Sequence, residues 1–310
     1  MGTRAPRRAL AAALGLGAFS AVSALVVDAA AYCRTTTCDP KIEACRVDDN
    51  GCTRTGAPLA WRSLPIVYRF HSKSSKHLDR GDAREAVRAA FQRWTDVTCG
   101  SGRRTSLRFR EEEDIALKMP ADPHRAGAAH FGIYFRDDAW TATEADSTLA
   151  LTTQSFKKVN GWVEESDIEV NTTKAAFATS EMATGIDLQA VLTHEVGHYI
   201  GLAHSKAPDS IMVDSYCKSG DRCGKGKVDA RRLSADDEAA VCGLFPPDGI
   251  SGVTYEDPEA GGCSIGTASA TAKATGATGG DIVSRVLPFG GAALLLAALR
   301  RRARPMRRAR

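Results

Sequence analysis

No repeat period runs through the 310 residues, so a solenoid or blade array is excluded. A net positive charge is missing from the body of the chain. The formal net charge is +4, but the first 31 residues carry +2 and the last thirty carry +7, which leaves −5 for residues 32–280. A mildly acidic body gives nucleic-acid binding no electrostatic support. Histidine is scarce, at seven residues. Three of the seven fall within eleven positions, His194-Glu-Val-Gly-His198-Tyr-Ile-Gly201-Leu-Ala-His204.

That spacing has a chemical meaning. Residues four apart on a helix share a face, so His194 and His198 can reach one ion. Glu195 can lean toward a water beside that ion without binding the ion itself. A helix running straight on would carry the next ligand away. Gly201 can take a left-handed conformation, end the helix and let the chain return with His204. Three neutral nitrogens leave a fourth tetrahedral position for water, which is the pattern of a catalytic zinc. A helix with two surface histidines would explain neither the glycine nor His204. The other histidines, His71, His77, His124 and His130, lack this spacing and are read as surface or packed residues; a second metal site using His130 stays open.

Met212 follows eight residues after His204, in Asp209-Ser-Ile-Met-Val-Asp-Ser-Tyr216. The extended histidine motif with a methionine-bearing turn resembles the metzincin metalloproteases. Ser205 directly after the third histidine is similar to matrixins within that group. Asp214, two residues past the methionine, stands where astacins offer tyrosine. Leu233–Pro247 resembles the last helix of a matrixin domain, and the resemblance covers about Pro58 to Pro247.

The resemblance implies one catalytic zinc held by His194, His198 and His204, with Glu195 as general base and Met212 as an apolar floor. It implies a twisted mixed sheet of about five strands above the zinc helix, and hydrolysis of a polypeptide substrate. It also implies that the strand at Leu149, Ala150, Leu151, Thr152 and Thr153 is the cleft edge, able to pair with extended substrate. An ordinary edge strand is the plainer alternative. Matrixin latency rests on a Pro-Arg-Cys-Gly propeptide motif, which is absent here, and Cys52 is better read as a disulfide partner. No haemopexin-like repeat is present, so the cleft itself must choose substrate.

Element order supports the same class independently. A strand is expected at Ile66–His71 and a helix at Asp82–Val97, where Ala86, Val87, Ala90, Phe91 and Trp94 recur at helical spacing. Strands are expected at Ser106–Arg110, Phe131–Phe135, Leu149–Ser155 and Asp167–Asn171. Asp187 should cap a helix from Leu188, and Ser234 a third helix whose acids Asp236, Asp237 and Glu238 serve its dipole. Three main helices and a run of strands without regular alternation make an α+β domain.

The flanks carry addresses. Arg4, Arg7 and Arg8 precede an apolar run, Ala9–Val27, and Ala29-Ala-Ala31 offers a cleavage site, so residues 1–31 read as a signal peptide and the chain as exported. Residues 32–55 form a cysteine-rich segment, 56–248 the catalytic domain and 249–280 a linker of small residues. Eight cysteines precede that linker, which fits four bridges. Spacing suggests that Cys33, Cys38, Cys45 and Cys52 pair among themselves, Cys217 with Cys223 and Cys99 with Cys242, although spacing alone leaves connectivity open. In 281–310 a marginal apolar stretch is followed by seven arginines. With Gly-Cys263 upstream, this resembles bacterial sorting tails of the myxobacterial type; a plain anchor is the alternative. Membrane contact is expected only through this tail, at the cell surface or before release, and the enzyme is expected to be a monomer. Asp137, Asp138, Glu164 and Glu165 could hold calcium but are read as solvated loop acids. Two other functions stay open: a non-enzymatic zinc surface module, and a zinc hydrolase acting on small peptides or cell-wall amides.

Overall fold

The computed structural model describes residues 2, 31–116, 130–140, 148–173, 175–180, 184–216, 222–223, 226–227, 230–250 and 254–255. Five strands form the main sheet: β1 (Ile66–His71), β2 (Phe109–Ile115), β3 (Gly132–Arg136), β4 (Ala150–Phe156) and β5 (Val163–Asn171). Their order is β2-β1-β3-β5-β4. All neighbours are parallel except β4, which runs antiparallel to β5 and occupies one edge. Three helices pack with it: α1 (Arg80–Thr95), α2 (Leu188–Tyr199) and α3 (Ala235–Leu244). The chain is therefore α+β, with a five-stranded mixed sheet.

One sheet face builds the core. Tyr68, Phe70, Ile133, Phe135, Ile168 and Val170 alternate inward. They meet Ala83, Val87, Ala90, Phe91 and Trp94 of α1 and Leu188, Val191, Leu192 and Val196 of α2. Helix α2 is buried almost all round, so packing rather than amphipathicity holds it. Trp94 donates its indole N–H to Thr193 O (2.9 Å), which ties α1 to α2 at the site.

Boundaries depart from expectation in three places. Helix α1 begins at Arg80, because Asp79 accepts from Asp82 N–H and caps it there; Asp82 lies inside the first turn. Strand β2 lies several residues later than Ser106–Arg110. Its run Glu111–Asp114 carries no strand-like hydropathy pattern, since Glu111 pairs with Arg88, Glu112 with Arg69, and Asp114 with Arg80 and Arg84, rather than alternating with apolar residues. Strand β5 begins four residues early, at Val163, so Glu164 and Glu165 are strand residues and not loop acids. Glu164 pairs with Lys157, and Glu165 accepts the backbone N–H of His130.

Three disulfides are present among the described residues: Cys33–Cys52, Cys38–Cys45 and Cys99–Cys242. The four N-terminal cysteines thus pair among themselves. Cys99–Cys242 spans 143 residues and joins the end of α1 to α3. Closing a loop of that size is worth ~5 kcal/mol in the chain-entropy picture. Cys217 of the expected Cys217–Cys223 bridge lies outside the described residues, as do most of the signal segment, most of the linker, Cys263 and the arginine tail. Among the described residues no helix is long and apolar enough to cross a membrane.

Candidate metal centre

Helix α2 starts where Asp187 Oδ1 accepts the N–H of Ala190. A second lock is Arg231, which donates to Asp187 Oδ2 at 2.6 Å. The helix stops because Gly201 takes φ +103°, which a side chain rarely adopts, and because a Cβ there would meet Leu59 O at 3.2 Å. The carbonyl of buried Tyr199, left without a partner in the helix, is satisfied by Trp61 Nε1 (2.9 Å) and Gln154 Nε2 (3.0 Å). The chain then turns back through Leu202 and Ala203, and His204 faces the helix.

The three imidazoles converge. His198 Nε2 lies 3.1 Å from His194 Nε2 and 3.3 Å from His204 Nε2. Nitrogens bonded to one tetrahedral zinc at about 2.0–2.1 Å would stand ~3.3 Å apart, so the donor set fits such an ion. The opposite ring nitrogens are committed elsewhere: His194 Nδ1 to Ile211 O (2.7 Å) and His198 Nδ1 to Leu202 O (2.8 Å). Carbonyls accept only, so both rings carry their proton on Nδ1 and turn a lone pair inward. Burial, with the neighbouring rings His194 and His204, pushes His198 well below the ordinary imidazole range. Burial and His194 bring His204 to about 3. Both rings are therefore neutral, as a ligand must be, across physiological pH.

Glu195 is 5% exposed. Burial raises its carboxyl above the usual range, while His194 and the Thr152 hydroxyl pull the other way. Thr152 donates to Glu195 Oε2 at 2.6 Å. The strand read from sequence as a cleft edge lies at an edge of the sheet; Ala150, Leu151 and Thr152 are buried, Thr153 is half-buried, and half-buried Leu149 precedes the strand.

Met212 lies under the helix. A Cβ on Gly197 would overlap its Sδ, so the thioether rests against α2 at Gly197, the residue before His198. Two residues missed in sequence hold that turn. Asp237, expected as a dipole partner, is 1% exposed; it accepts from Ser210 Oγ (2.5 Å) and Ile211 N–H (2.9 Å) while closing the cap with Ser234. Asp236 accepts from Ser205 Oγ at 2.7 Å. The Ser234-x-x-Asp237 capping box is readable in the sequence; the reach of its carboxylate to the methionine turn is not.

A second convergent trio lies on the sheet face away from α2. His130, Glu165 and Asp167 offer ligand atoms within 4.8 Å of one another. Burial, with the carboxylates of Glu165 and Glu169, raises Asp167 to about 7. Asp137 instead accepts from Ser75 Oγ, Lys76 N–H and Thr172 Oγ1, joining three loops.

Fold and site geometry thus define an α+β domain with a three-histidine centre built from a buried helix and the turn that follows it. Residues 60–245, more than half of the chain, match the matrixin family, and the chain belongs to that family. Among curated relatives, Matrix metalloproteinase-C of Caenorhabditis elegans is 27% identical over 209 residues, covering 63% of this chain and 31% of that protein. Hatching enzyme of Paracentrotus lividus is 28% identical over 202 residues, covering 63% of this chain and 28% of its own length. Metalloendoproteinase 1-MMP of Arabidopsis thaliana is 27% identical over 199 residues, covering 61% and 45% respectively. The chain therefore spans less than half the length of these relatives.

Proposed function

We propose that this protein is an exported zinc-dependent endopeptidase that hydrolyses peptide bonds in polypeptide substrates. The observation that carries the reading is the convergence of three Nε2 atoms beside a buried carboxylate. His194, His198 and His204 would hold the ion, and Gly201 supplies the turn that returns the third ring. Zinc, when bound, supplies Lewis acidity and makes a water acidic enough to lose a proton near neutral pH.

Glu195 takes the proton of the attacking water and returns it to the leaving amine, so one carboxylate serves both halves of the reaction. Burial holds its carboxyl above the usual range, the direction that helps a group which must later give its proton up. Thr152 orients that carboxylate. Met212 keeps water from beneath the ligands. The edge strand from Leu149 to Thr153 is the proposed platform on which substrate lies extended. Export is supported by the basic-apolar N-terminus and by the disulfides, which persist in oxidising compartments. Membrane contact would run only through the C-terminal tail, and the working unit is a monomer.

Glu195→Gln is the direct test. It keeps the size of the side chain and removes the proton acceptor. Zinc content and thermal unfolding should stay near wild type while turnover falls by roughly 10²–10⁴. Turnover within a few-fold of wild type would remove Glu195 as the base.

A further inference from the structure

The cysteine-rich N-terminal segment has no part in the reaction described so far, and it lies before residue 60, where the family match begins. Its contacts are nevertheless with the metal centre. Cys33 and Arg34 form a short antiparallel ladder with Ala203 and Leu202, the two residues just before the third histidine. Thr35 donates its N–H to Gly201 O (2.9 Å), and its own carbonyl accepts Leu59 N–H (2.8 Å). The Thr35 hydroxyl, buried with its residue at 4% exposure, donates to Leu202 O at 3.0 Å. That carbonyl is the same acceptor that receives His198 Nδ1–H at 2.8 Å. The Cys33–Cys52 disulfide anchors the start of this ladder.

From this shared carbonyl we infer that the disulfide-closed segment from Ala31 to Pro58 is a clip that positions the zinc ligands, with Thr35 as its positioning residue; the inference rests on the zinc-site reading above. The physical argument is short. His198 Nε2 points at the ion only while Nδ1–H has an acceptor in one place. Leu202 sits just past a glycine at φ +103°, where the helix no longer fixes the peptide plane. The Thr35 hydroxyl and the ladder fix that plane from the other side. Outer partners of a ligating histidine are typically worth 10–100-fold in metal affinity.

The test uses the full chain and zinc itself, titrated against a competing chromophoric chelator, in wild type, Thr35→Val, Thr35→Ser and His204→Ala. Thr35→Val keeps the shape and removes the donor, and Thr35→Ser restores it. Zinc affinity should fall about 10-fold in Thr35→Val and return to within roughly twofold of wild type in Thr35→Ser. A merely structural role would weaken zinc-free and zinc-loaded protein equally and leave affinity unmoved. Should Thr35→Val not fold, the Cys33→Ser/Cys52→Ser pair replaces it, with the same fall expected. Affinity within twofold of wild type in whichever variant folds overturns the clip. A drop in His204→Ala without one in the clip variants sinks the clip alone; no drop in His204→Ala sinks the zinc-site reading beneath it.

Discussion

Gly197 stands between the first two histidines, and replacing it with alanine sets two opposing effects against each other. Alanine is the better helix former by about 1 kcal/mol. Yet the added methyl would sit 2.2 Å from Met212 Sδ and 3.0 Å from both Met212 Cε and Trp94 Cζ2, where ordinary contact is 3.4–4 Å. Met212 is flexible, but it is 2% exposed and Trp94 is fully buried, so neither has free space to move into. Overpacking of this kind costs about 1–3 kcal/mol. An approach this close to a buried side chain belongs in the upper part of that range, about 2–3 kcal/mol, so after the gain in helix propensity the net loss is about 1–2 kcal/mol. At ~2–4 °C per kcal/mol for a domain of this size, the melting temperature should fall by ~2–8 °C. Differential scanning calorimetry on zinc-free protein reads this directly, and chelator competition should show weaker zinc binding as the methionine is pushed from beneath the rings. A rise in melting temperature would refute the reasoning, since it would mean that Met212 swings aside at no cost and is no fixed floor.

Two further outcomes are expected. Thr152→Val removes the hydroxyl that favours ionised Glu195; turnover should drop ~10-fold or more and the acid limb of the pH–rate profile should move to higher pH, whereas an unmoved limb would clear Thr152 of that role. Asp167 has a folded pKa of about 7 against an ordinary 3.8, so it stabilises the fold below about pH 3.8 and this contribution is lost as pH rises through about 7. Asp167→Asn should therefore remove a loss of up to about 4 kcal/mol between pH 4 and pH 8, read by urea denaturation at both values; identical pH dependence in both proteins would contradict it.

Much of the metal centre is legible in the sequence because its logic is local. His194, Glu195 and His198 share one helix, Gly201 ends it, and both helix caps, Asp187 and Ser234, sit at the expected positions. What stays hidden depends on distant partners. The Thr35 hydroxyl finds Leu202 O across 167 positions, through a ladder only two residues long that carries no periodic signal. Strand β2 escapes a linear reading because its acids are matched by arginines of α1 and β1 rather than by a buried face. Asp237 resembles a plain dipole partner because nothing in the order of residues shows a carboxylate reaching back to Ser210 and Ile211. Thr152 belongs to the expected substrate edge, yet its hydroxyl faces inward and its partner is Glu195.

The most direct measurement joins metal content to cleavage. Purified chain supplied with zinc at neutral pH should retain the ion at the three-histidine centre, cut internal bonds in a diverse peptide library, lose that activity to a chelator and regain it when zinc is restored. A chain that holds no zinc under these conditions, or one that keeps cutting in excess chelator, would contradict the proposed role of His194, His198 and His204.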